Sequence, residues 1–248
     1  LQGFDWTNLD EALGRMVRNG LRPIFELMGN PSGEYNHFNT PQALSAWRDL
    51  IQALAVHLEE EADFGQAEVR HWLFETWNEP DIPNGWFPGD AEAFCRYYDA
   101  CAAGLWAVDE KLVLGGPGTC RTLSNLFTRF LAHCDRGTSC MEEGKSVRID
   151  FISVHEKGAK AHAEDLTPNS TRIVERESWA MRYIAEHHGS KLGRLPFFND
   201  ECDPQVGWWD THTWRAKAYY PALAAKIIDQ HDRWFVESFD PKDRKSVV

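Results

Sequence analysis

Two carboxylates of this 248-residue chain stand in matching settings. Glu79 ends the stretch FETWNE at 74–79, and Glu201 ends LPFFNDE at 195–201. Each follows an apolar run and a short polar step, Trp77-Asn78 in one case and Asn199-Asp200 in the other. Two acids brought together can divide labour: one holds a proton for a leaving oxygen, and the other stays ionised and attacks carbon. That is the chemistry of glycoside hydrolysis with retention, which needs carboxyl groups about 5–5.5 Å apart. Each acid alone has a plainer explanation, Glu79 as a turn or cap residue before Pro80 and Glu201 as an ordinary loop acid. Their parallel placement favours the pair. Asn78 stands where its amide could bind a sugar hydroxyl, or where it simply makes a turn.

A third polar cluster, His155-Glu156-Lys157, also ends an apolar run. It does not form the H-E-x-x-H zinc helix, because Ala159 stands where the second histidine belongs. Lys157 fits an anionic sugar substituent, a hydroxyl or a solvated surface position. The histidines His37, His71, His133, His187 and His188 fit surface or core positions better than ligand roles, and no G-x-S-x-G elbow is present. Trp86, Trp208 and Trp209 follow strand-like runs and suit sugar stacking as well as a core or lid role. The six cysteines include no C-x-x-C pair, which speaks against structural zinc and leaves a few local disulfides open. No cofactor is called for, since two carboxyls suffice. A net charge of −12 argues against nucleic acid or an anionic membrane as partner. No apolar stretch approaches the roughly 20 residues that span a bilayer. Asn169-Ser170-Thr171 is a glycosylation sequon and a weak pointer to secretion.

The elements that must position these groups alternate. Strand-like runs cover 22–28, 69–77, 111–114, 147–155 and 195–198, with a weaker sixth at 233–239. Amphipathic helices lie between them. One begins at Thr40 with Pro41 in its first turn and Leu44, Trp47, Ile51, Leu54 and Leu58 on one face. Another follows Asp90, with Phe94, Tyr98, Cys101 and Leu105 on its stripe. The chain opens on a helix through Leu9, Leu13 and Val17, stopped near Gly20. Strand–helix repetition predicts a parallel sheet with helical crossovers. The GGPG at 115–118 lacks the G-x-G-x-x-G spacing of a doubly wound nucleotide fold and reads as a tight turn after a strand. Polar residues gather at strand ends instead, as they do in a β/α barrel. A closed barrel needs eight strands, so the expectation is a (β/α)8 TIM barrel that is incomplete, lacking its first two β/α units and the end of the last, with residues 1–248 as one partial catalytic domain.

WNEPD at 77–81, GGPG, DFISVHEKGA at 150–159 and NDECDPQVGW at 199–208 appear in order, after RPIFELMG at 22–29. Together they resemble glycoside hydrolase family 39, over nearly the whole chain. The resemblance implies a retaining exo-hydrolase, on the branch that removes terminal α-L-iduronic acid from dermatan and heparan sulfate. It implies Glu79 as proton donor, Glu201 as nucleophile, and Asn78, Lys157 and Gly207 as residues that hold the sugar. It implies a glycosaminoglycan or oligosaccharide substrate and a lysosomal or secreted location, and says nothing of oligomeric state. One family position departs: Ile82 stands where a histidine is common. A substrate histidine from the first strands, and the Asp and Arg that face the uronate beyond the eighth, are expected outside this chain. The alternatives are a relative acting on neutral sugars such as β-xylosides, or a truncated chain without turnover, insoluble or inactive when expressed alone.

Overall fold

The computed structural model describes residues 3–29, 33, 35–84, 86–159, 168–207 and 211–238. Its strands are β1 (Ile24–Glu26), β2 (Leu73–Glu75), β3 (Val113–Thr119), β4 (Phe151–Val154) and β5 (Phe197–Asn199). They form one parallel sheet in the order β1-β2-β3-β4-β5. The order never reverses, so the switch point of a doubly wound sheet is absent among the described residues. Crossovers that always advance in one direction build a barrel. The sheet also curls, since Ile24 of β1 and Phe198 of β5 line one cavity of about 330 Å³. This is an arc of a β/α barrel.

The helices are α1 (Thr7–Arg18), α2 (Pro41–Val56), α3 (Gln66–Val69), α4 (Ala91–Trp106), α5 (Asn125–Arg136), α6 (Thr171–His188) and α7 (Tyr219–Ser238). Their starts follow local chemistry. The Thr40 hydroxyl accepts the Ala43 N–H at 3.2 Å, and the Asp90 carboxylate accepts the Ala93 N–H at 2.8 Å. The predicted stripe of α2 is buried against α4, where Gly104 lets the two backbones approach. A Cβ there would stand 2.7 Å from the Arg48 carbonyl oxygen. Under the loop after β2, Phe38, Trp77, Phe87 and Tyr97 pack ring against ring, with Trp77 and Phe87 centroids 5.5 Å apart. That cluster gives the loop a rigid floor. None of the described helices is long and apolar enough to cross a membrane.

Two expectations need correction. The GGPG segment is not a turn after β3 but lies within it. Its glycines serve close packing: a Cβ on Gly115 would meet the Phe151 ring at 2.4 Å, and one on Gly116 the Thr76 hydroxyl at 2.3 Å. Residues 233–238 are not a sixth strand; they finish α7. The buried Leu223 and Ile227 set a four-residue spacing upstream, and helix propagation carries a short apolar run that has no period of its own.

Candidate active site

The reactive groups emerge from the carboxyl ends of β2, β4 and β5. Glu79 occupies a left-handed backbone conformation, φ 45°, which costs a non-glycine residue energy and must be held in place. Several bonds hold it. The Glu79 N–H donates to the Gly118 carbonyl at 3.0 Å, the Ile82 N–H to the Glu79 carbonyl at 3.0 Å, and the Trp86 indole N–H to the Asn78 carbonyl at 2.7 Å. The Cys120 N–H donates to Asp81 at 2.9 Å, which ties the same loop to the end of β3. The turn before Pro80 is therefore also the device that aims Glu79.

The loops after β4 and β5 are stitched to each other. Asn199 accepts the Glu156 N–H at 3.1 Å and donates to the Glu156 carbonyl at 2.9 Å. The Gly158 N–H donates to the Asp203 carbonyl at 2.9 Å, and Ala159 and Val206 continue the ladder. Lys157 and Glu201 are thereby presented from one rigid unit.

Glu79 and Glu201 meet. One oxygen of each, with a ring nitrogen of His155, lie within 4.8 Å of one another. Lys157 bridges them, its Nζ 2.7 Å from Glu79 Oε1 and 3.2 Å from Glu201 Oε2. His155 bridges them a second time, Nδ1 at 2.8 Å from Glu201 Oε2 and 3.3 Å from Glu79 Oε1. Its Nε2 faces Asp200 at 3.5 Å. The hydrogen bond from His155, joined by the Lys157 charge, overcomes burial and lowers Glu201 to about 2. Burial by itself would lower the His155 pKa, but its bonds to Glu201 and Glu79 prevail and hold the imidazolium up to about 10. Burial works against the Lys157 charge too, and its hydrogen bond to Glu79 outweighs it, so its pKa lies above the ordinary value.

Beneath the pair lies a second acidic layer, formed by two acids placed within apolar strand runs. Glu26 and Glu75 are register partners on β1 and β2. Burial, with the charge of Asp200 beside it, raises Glu75 to about 9, so it is a neutral carboxylic acid at physiological pH. Burial raises Glu26 as well. Two cavities meet at His155. One, of about 340 Å³, is acidic and lined by Glu26, Glu75, Asn78, Asp200 and Glu201; the other, of about 550 Å³, holds Glu79, Lys157, Arg121, Arg176 and Trp179.

The predicted residues divide as follows. Glu79, Glu201 and Lys157 converge, and Asn78 opens on the acidic cavity with Glu201. Gly207 is buried, with φ 123°, one residue beyond Val206, which lines the larger cavity. Ile82 lines that cavity as well. Trp86 braces Asn78, and Trp208 and Trp209 lie outside the described residues. Asn169 is exposed and accepts the Arg172 N–H at 3.2 Å. All six cysteines are free. A cation could sit among Glu79, His155 and Glu201, but His155 and Lys157 already supply positive charge there.

The profile of glycosyl hydrolases family 39 matches residues 2–241. The chain belongs to that family. It is 38% identical over 234 residues to the alpha-L-iduronidase of Homo sapiens, covering 92% of this chain and 34% of that protein. A solved structure described as the bacterial orthologue of human α-L-iduronidase superposes with a TM-score of 0.87 at 47% identity, over 94% of this chain and 38% of its own. The beta-xylosidase of Geobacillus stearothermophilus is 31% identical over 168 residues, 64% of this chain and 31% of that protein. The chain thus spans about a third of the length of these relatives.

Proposed function

We propose that residues 1–248 are the catalytic barrel portion of a retaining glycosidase that removes terminal α-L-iduronic acid from glycosaminoglycans such as dermatan and heparan sulfate. The observation that carries the mechanism is the approach of Glu79 and Glu201 within 4.8 Å. Inverting enzymes keep their carboxyls about 6.5–9.5 Å apart to admit a water, so the short separation favours a covalent route. Glu201, kept ionised by His155 and Lys157, is the nucleophile that attacks the anomeric carbon. Glu79 is the acid/base. Its Oε1 accepts from Lys157, which leaves Oε2 to carry the proton to the leaving oxygen. Water then opens the glycosyl-enzyme with Glu79 as base. Asn78 binds a sugar hydroxyl, Lys157 an oxygen of the same sugar, and the Gly207 backbone the region of its carboxylate.

Support for the uronide over a neutral sugar comes from the relatives, since the human iduronidase is 38% identical and the bacterial orthologue 47%, against 31% for the Geobacillus xylosidase. The second reading, a β-xylosidase, rests on that 31% likeness. In the full-length protein, a fluorogenic α-L-iduronide is expected to turn over faster than the matching xyloside, and the reverse preference selects the second reading. Glu201→Ala is expected to abolish accumulation of a glycosyl-enzyme seen by mass spectrometry. Glu79→Ala is expected to slow substrates with poor leaving groups most. Equal effects of both changes on every leaving group would refute the division of roles. The likeness extends to a bacterial protein, so a lysosomal location does not follow from family membership.

A further inference from the structure

A second set of ligand-type side chains lies apart from the glutamate pair. Glu177 of α6, Cys202 in the loop after β5 and His231 of α7 bring an oxygen, a sulfur and a ring nitrogen within 4.8 Å of one another. All three line the cavity of about 330 Å³ beside β5. The hydrogen-bond geometry around His231 is informative. Its Nδ1 is 2.7 Å from the Ile227 carbonyl oxygen, so Nδ1 carries a hydrogen. Its Nε2 is 2.7 Å from Glu177 Oε2. With the hydrogen on Nδ1, a neutral ring would turn a lone pair toward a carboxylate oxygen. Two acceptors 2.7 Å apart share a proton; a zinc-type ion, with bonds of about 2.0–2.2 Å to each atom, would displace that proton and spread the two atoms to about 3 Å or more. A proton makes an ion pair between α6 and α7 and gives Cys202 no part. A metal ion uses all three groups.

The surroundings match a metal site. A ligating histidine commonly donates its other N–H to a backbone carbonyl, and a ligating carboxylate is itself hydrogen-bonded. Here Ile227 fills the first role, and Asn199, donating to Glu177 Oε1 at 2.5 Å, fills the second. The Glu177 side chain is only 3% exposed, and the counter-charge now facing it is the His231 ring, whose bridging proton a metal ion would replace. A sulfur, nitrogen and oxygen donor set suits Zn²⁺ or Co²⁺ and not Mg²⁺ or Ca²⁺. A fourth position opens on the cavity, where Asp232 also stands.

We infer that Glu177, Cys202 and His231 form a binding site for a divalent zinc-type cation, one that ties α6 and α7 to the loop carrying Glu201. The inference does not depend on the glycosidase reading. Its test is a Co²⁺ titration of the full-length protein at neutral pH, under reducing conditions. The expected result is a thiolate-to-cobalt charge-transfer band that saturates at one ion per chain, disappears in Cys202→Ser, and needs at least about tenfold more Co²⁺ in His231→Gln. Zn²⁺ is expected to raise the unfolding temperature of the wild type and not of Cys202→Ser, and metal-free melts of both show that the variant is folded. No band in the wild type, or a band that survives Cys202→Ser, overturns the proposal and leaves a proton-bridged ion pair.

Discussion

Replacing His155 by glutamine tests whether that side chain sets the ionisation of the proposed nucleophile. Glu201 lies at about 2 against an ordinary 4.5, and the hydrogen bond from His155 is the largest contribution to that gap. At about 1.4 kcal/mol per pKa unit, the gap corresponds to roughly 3 kcal/mol in favour of the carboxylate. A third of the Glu201 side chain is exposed, and solvent screening reduces this to on the order of 2 kcal/mol. Lys157, 3.2 Å from the same oxygen, remains in the variant and keeps part of it. Burial, which opposes the charge, also remains. Glutamine donates one neutral hydrogen bond in place of a charged one. The acidic limb of kcat/KM should therefore move up by about one pH unit or slightly more. The assay is the pH profile of the full-length enzyme and His155→Gln on one aryl glycoside, with Lys157→Met as a second point moving the same way. An acidic limb that stays within a few tenths of a unit while kcat/KM falls equally at all pH values would refute the reasoning, because His155 would then act without touching the charge of Glu201.

Stability should fall as pH rises from mildly acid to alkaline. Glu75 (folded at about 9 against 4.5) and His155 (about 10 against 6.5) each bind a proton more tightly in the folded state, so their contributions are full below 4.5 and 6.5 and are lost as pH climbs through 9 and 10. Each can account for up to about 1.4 kcal/mol per pH unit within its window, and calorimetric melts of Glu75→Gln should show a flatter slope between pH 5 and 9, as flagged by the linkage of about one proton. Gly104→Ala gains helix propensity yet places a Cβ 2.7 Å from the Arg48 carbonyl, so a net loss of about 1–3 kcal/mol is expected by denaturant unfolding, and a gain would mean that α2 can shift. Asp90→Ala removes the cap of α4 and should cost about 1 kcal/mol, a drop of roughly 2–4 °C in Tm.

What the sequence makes legible is what local chemistry decides. Thr40 with Pro41, and Asp90, announce their helices because a cap acts within three residues. The stripes through Leu44–Trp47–Ile51 and Phe94–Tyr98–Cys101 are read from periodicity, and burial follows it. The convergence of Glu79, Glu201 and Lys157 is legible because a parallel barrel turns strand ends toward one rim. His155 is harder. In the sequence it belongs to a zinc motif that fails, and its role depends on Glu79, Asp200 and Glu201, all distant in the chain. Residues 233–238 mislead because a short apolar run carries no period that separates strand from helix.

Glu26 and Glu75 are a different case, because the signal is present and goes unused. FE at 25–26 and FE at 74–75 each place one acid inside an otherwise apolar strand run. Inward-facing positions of a barrel are buried, and a buried carboxylate must be neutral or paired. Sequential parallel strands set the two acids side by side in register, so both cannot comfortably ionise. His155 brings a ring nitrogen within 4.8 Å of both acids, and burial with the nearby charge of Asp200 favours the protonated form of Glu75. An isolated acid repeated at one level of neighbouring apolar strands is therefore a sequence-level mark of a proton-holding layer, here beneath Glu79 and Glu201.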